Sequence, residues 1–127
     1  MMQRYSKLLG LVPVLLAWAC AAPSQDEKLL KEAADVHNTA LQIAEDLESR
    51  LKQEAIPADS AFVILAAIEE WEQDLIEVPG NEHHHDHEGH NHSHEPVNVT
   101  AAEMLELQLE LKQRIEQIKK RVDALTP

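Results

Sequence analysis

The sequence predicts an all-α fold: a three-helix up-down-up bundle, or an extended helical hairpin with a third helix added. Three observations carry this expectation. Apolar residues recur every three or four positions in three long stretches, the period of one helix face. Chain breakers avoid those stretches: after Gly10 the only glycines are Gly80 and Gly89, and Pro23, Pro57, Pro79, Pro96 and Pro127 stand at their edges. Ser24-Gln25-Asp26-Glu27 and Thr100-Ala101-Ala102-Glu103 each have the capping-box form, in which the Ser or Thr side chain and the Glu carboxylate satisfy each other's backbone N–H groups.

The first helix is expected over about 24–54, with the apolar stripe Leu29, Ala33, Val36, Ala40, Ile43, Leu47 and Leu51. Asp26 and Glu27 complement the positive end of its dipole. The second is expected over about 59–78, capped by Asp59 or Ser60, with the stripe Ala61, Ile64, Ile68, Trp71, Leu75 and Val78. Its first half, Ala61 to Ile68, is apolar on every side, which suggests the most buried part of the protein or a face that meets a partner. The third is expected over about 100–125, with the stripe Met104, Leu107, Leu111, Ile115, Ile118, Val122 and Leu125, widened by Leu105 and Leu109. Val99 and Met104 can form a hydrophobic staple across its start, and Lys119, Lys120 and Arg121 suit its negative end. The up-down-up order would bring the chain between helices 2 and 3 back beside the start of helix 1. Completion of the core by self-association, or by a helical protein partner, is the alternative.

That connection, 79–98, carries the chemistry. Seven of the eight histidines lie between Glu82 and Glu95: His83, His84, His85, His87, His90, His92 and His94, interleaved with Asp86 and Glu88. No apolar residue occurs between Glu82 and Glu95, so a disordered loop is expected. Neutral imidazole is the commonest biological ligand for zinc, nickel and copper, and histidine at nearly every second position offers several overlapping donor sets. Asp86, Glu88 and Glu95 can add oxygen ligands, while the lack of cysteine argues against a closed structural zinc site. The segment resembles the His-, Asp- and Glu-rich loops of periplasmic zinc-binding proteins and zinc transporters, which implies capture of divalent transition metal, zinc first. A polar linker and a pH-responsive element are the competing readings of the same composition.

The eighth histidine, His37, stands beside the apolar stripe of helix 1. A partly buried boundary histidine bonded to a neighbour is one reading; a fixed ligand for metal held by the loop is the other. The carboxylates Glu69, Glu70, Glu72, Asp74 and Glu77 read as a solvated helix face. No nucleophile motif, HExxH helix or glycine-rich phosphate loop is present, so no enzymatic activity is expected. The formal net charge is −12, and fourteen Asp and Glu but no Lys or Arg lie between Lys52 and Lys112. Such a chain repels nucleic acid and attracts cations.

Residues 1–19 have the pattern of a signal peptide: Arg4 and Lys7, then an apolar run from Leu8 to Ala19. The sole cysteine, Cys20, follows directly. Leu16-Ala17-Trp18-Ala19-Cys20 resembles a bacterial lipoprotein signal, although the Leu usual three residues before the cysteine is Ala17 here. The resemblance implies an N-terminal lipid on Cys20, a tether over 20–23 and a domain over 24–127. It also implies anchoring in the cell envelope, at the outer membrane facing the periplasm, since Ala21 is not an inner-membrane retention aspartate. Ala17-Trp18-Ala19 also suits an ordinary signal peptidase, which would release a soluble protein. Ala34-Asp35-Val36-His37-Asn38 and Glu69-Glu70-Trp71, followed by a low-complexity insert and a final helix, resemble small helical lipoproteins of unknown function labelled inclusion-protein-like. Where those carry Met after the Trp, this chain has Glu72.

Overall fold

The computed structural model describes residues 22–53, 55–81 and 97–126. Among them are three helices: α1 (Gln25–Gln53), α2 (Ala58–Gln73) and α3 (Ala101–Asp123). Both capping boxes form. Ser24 Oγ accepts from Glu27 N at 3.1 Å while Ser24 N donates to Glu27 Oε2 at 2.6 Å. At α3, Thr100 Oγ1 accepts from Glu103 N at 3.3 Å and Thr100 N donates to Glu103 Oε2 at 2.8 Å. Val99 and Met104 pack into one apolar cluster, as a staple requires.

The helices run up, down and up. Arg50 near the end of α1 pairs with Asp123 at the end of α3 at 2.7 Å, so these two helices lie parallel. Asp74, just past α2, pairs with Arg114 of α3 at 2.7 Å, and Trp71 Nε1 donates to Leu111 O at 2.8 Å. The start of α2 lies against Arg121, Ala124 and Leu125, so α2 is antiparallel to α3.

The parallel pair has a regular seam. The buried residues of α1 include Ala33, His37, Ala40, Ala44, Leu47 and Leu51; those of α3 are Met104, Gln108, Leu111, Ile115, Ile118 and Val122. Both series step four, three, four, three, four, the spacing of a and d positions in a coiled coil. Each α3 position is its α1 counterpart plus 71, so the two seams are in register. The expected stripes were close but turned slightly. Val36 and Ile43 are half-buried rather than central, Leu107 gives way to Gln108, and Leu125 is exposed.

Helix α2 differs most from expectation. It ends at Gln73 rather than 78, and it starts at Ala58, with Pro57 as an N-cap residue that makes no side-chain cap; neither Asp59 nor Ser60 caps it. The last turn tightens through i→i+3 bonds from Asp74 N to Trp71 O and Leu75 N to Glu72 O, both 3.2 Å. Pro79 then disfavours helix at Val78. Val78-Pro79-Gly80-Asn81 closes a turn, Asn81 N donating to Val78 O at 2.9 Å with Gly80 at φ 80°, the left-handed position of a type II turn. Residues 75–78 form an irregular strap rather than a helix end.

The strap completes the core. Ile64, Ile68 and Trp71 of α2 join the main cluster with the lower halves of α1 and α3. Val78 joins Ala33 and Met104 in a second cluster at the other end. The apolar stretch 61–68 is therefore not the most buried part of the protein. Phe62 is 74% exposed, and Val63 and Leu65 are also exposed. A helix laid on one side of a parallel pair has a single buried stripe, whatever covers its other faces.

Candidate functional site

The strap, α1 and α3 meet at one polar layer in the seam. His37 is fully buried, rather than at a boundary, and its Nδ1 lies 3.0 Å from Gln108 Oε1 across the seam. Gln108, itself buried, donates through Nε2 to Ile76 O of the strap at 2.7 Å, with Met104 Sδ at 3.6 Å. Glu77 also comes from the strap. Its Oε2 stands 4.0 Å from His37 Nε2, and its side chain is 20% exposed. Both of these atoms are buried without a hydrogen-bond partner among the described residues.

Glu77 was expected on a solvated helix face, with Glu69, Glu70, Glu72 and Asp74. The early end of α2 takes it off the helix and turns it inward, whereas Glu69, Glu70 and Asp74 are exposed. Apolar periodicity runs through Leu107, the neighbour of Gln108, and so does not single out Gln108. The strict four-three spacing of the two seams, and their shared offset of 71, was the signal available in the sequence.

Described residues flanking the histidine-rich segment on both sides, Asn81 and Val99, lie at this end of the molecule. Asn81, the last described residue before it, pairs amide to amide with Asn38, the residue after His37: Asn81 Nδ2 donates to Asn38 Oδ1 at 3.1 Å, and Asn38 Nδ2 to Asn81 Oδ1 at 3.4 Å. On the far side Val99 packs against the cluster of Ala33, Val78 and Met104. His83, His84, His85, His87, His90, His92, His94, Asp86 and Glu88 lie outside the described residues, as does Cys20. Among the described residues no three His, Cys, Asp or Glu side chains gather closely enough to hold a metal ion, and no helix is long and apolar enough to cross a membrane.

Comparison with known proteins gives no match to a family model, to a curated protein or to a solved structure.

Proposed function

We propose that this protein binds divalent transition metal, zinc foremost and nickel or copper next, through His83, His84, His85, His87, His90, His92 and His94, aided by Asp86 and Glu88, for capture, buffering or delivery. The observation that carries this reading is the density of imidazole: seven histidines in fourteen residues, in a chain of net charge −12. The pairing of Asn81 with Asn38 supports it, because the residue that leads into the segment is tied to the neighbour of His37 in the chain. The leader and Cys20 support a lipid-anchored protein at the envelope, facing the periplasm. The role is one of binding rather than catalysis.

Calorimetry on protein carrying Cys20→Ser, which removes a competing thiol, tests this reading. Zinc at about pH 7.5 is expected to bind with micromolar affinity, and to lose most of that binding when 82–95 are replaced by Gly and Ser. An affinity weaker than about 100 μM, roughly −5.5 kcal/mol, overturns it.

A second reading is favoured by Phe62, Val63 and Leu65, exposed together on α2. Here the helices engage another protein and the segment is a linker. The Gly/Ser replacement separates the two, since a helical partner-binder keeps its function and a metal-binder does not.

A further inference from the structure

Two buried polar atoms, His37 Nε2 and Glu77 Oε2, face each other beside the seam with no hydrogen-bond partner among the described residues. Gln108 fixes the role of the first. Because its Nε2 donates to Ile76 O, its Oε1 is the atom turned toward His37. An amide oxygen only accepts, so His37 Nδ1 carries the proton and donates. With Nδ1 carrying the only ring proton, His37 presents a lone pair on Nε2, 4.0 Å from Glu77 Oε2. Both atoms are buried without a hydrogen-bond partner among the described residues. A lone pair aimed at a carboxylate oxygen away from water is unfavourable unless something positive, or a double donor, lies between them.

The geometry points to a divalent transition-metal site with His37 Nε2 and Glu77 Oε2 as its protein ligands, zinc the fitting ion and water completing the coordination. Zinc sits about 2.0–2.1 Å from imidazole nitrogen and about 2.0–2.2 Å from carboxylate oxygen, so the observed separation is already within reach of one shared ion. A tetrahedral angle calls for an N···O distance of about 3.3 Å, a closure of roughly 0.7 Å. Glu77 can supply that movement, being one-fifth exposed on an irregular strap, whereas His37 is held in the seam. The hydrogen bond that fixes the imidazole through its other nitrogen is the support metal-bound histidines use, here from Gln108, itself anchored on Ile76 O. The absence of Lys and Arg between Lys52 and Lys112 leaves no cation on the strap to compete for Glu77. This inference shares only the class of ligand with the function proposed above; its protein donors lie entirely outside 82–96.

Replacing 82–95 by Gly and Ser, together with Cys20→Ser, leaves His37 as the sole imidazole in the chain. Nitrogen-15 spectra of labelled histidine then report one residue. Without metal, one protonated and one lone-pair nitrogen are expected. Zinc chloride is expected to move the lone-pair nitrogen alone, saturating at one ion per chain with a dissociation constant on the order of 100 μM. Glu77→Gln is expected to weaken this at least tenfold. An unmoved spectrum at about 5 mM zinc, as a trapped water would give, overturns the proposal. Equal affinity in Glu77→Gln does so too, as does an imidazolium protonated on both nitrogens before zinc is added. If the segment's zinc binding disappears while His37 stays silent, this pair is refuted and the segment's own role stands. In the chain with 82–95 intact, Glu77→Gln is expected to lower the zinc stoichiometry by one, and an unchanged stoichiometry also overturns the proposal.

Discussion

Gln108 joins three elements through one side chain: it accepts from His37 on α1, sits on α3, and donates to Ile76 on the strap. Its replacement by Leu keeps the volume roughly but leaves His37 Nδ1 and Ile76 O without partners. Each buried polar group stranded in this way costs about 1–3 kcal/mol, so Gln108→Leu is expected to lower unfolding free energy by about 2–6 kcal/mol, measured by urea titration. An apolar gain that cancelled this loss would show that the polar layer contributes nothing to stability. The His37 imidazole was visible in the sequence as an oddity beside an apolar stripe. Its partners were not, because they lie 40 and 71 positions away and only packing brings them to it.

At the scale of the element, α2 shows how a helix with apolar residues all round is sorted by its neighbours. Ile68 is 1% exposed and Phe62 is 74% exposed, although both lie in the same apolar run. Ile68→Ala is expected to destabilise by about 2–5 kcal/mol, the cost of a core cavity, and Phe62→Ser to change stability by less than about 0.5 kcal/mol. Thermal melts of the two variants check the contrast. If Phe62→Ser destabilises as much as Ile68→Ala, α2 is covered on its outer face in solution. The starts of α1 and α3 were legible because capping boxes are local, written in four consecutive residues. The end of α2 was not, since Leu75, Ile76 and Val78 continue an apolar pattern that serves a helix or a strap equally well.

Across the whole molecule, the parallel pairing of α1 and α3 ties together helices that are not neighbours in sequence. Asp123 closes it at one end, its carboxyl held below the ordinary aspartate value of 3.8 by the Lys119 and Arg50 side chains that donate to it. A carboxylate depressed in the folded state stabilises above its unfolded value and loses that contribution as pH falls through the folded one. Asp123→Asn is therefore expected to melt at a lower temperature than the parent at neutral pH. The gap should close as pH is lowered below 3.8, checked by melting both proteins across that range. A gap independent of pH would mean that the carboxylate charge is not what holds the two helix ends together.

The sequence by itself determined the all-α class, three amphipathic helices, the starts of α1 and α3, and one dense imidazole segment set between helices. These follow from periodicity, capping and composition, which act over a few residues. Only the tertiary structure decided that α1 and α3 pair in register, that α2 is short, and that the strap after it turns Glu77 onto the buried His37. Those outcomes depend on which apolar face finds which partner, and a polar residue such as His37 or Gln108 enters a core only when another chain segment can satisfy it.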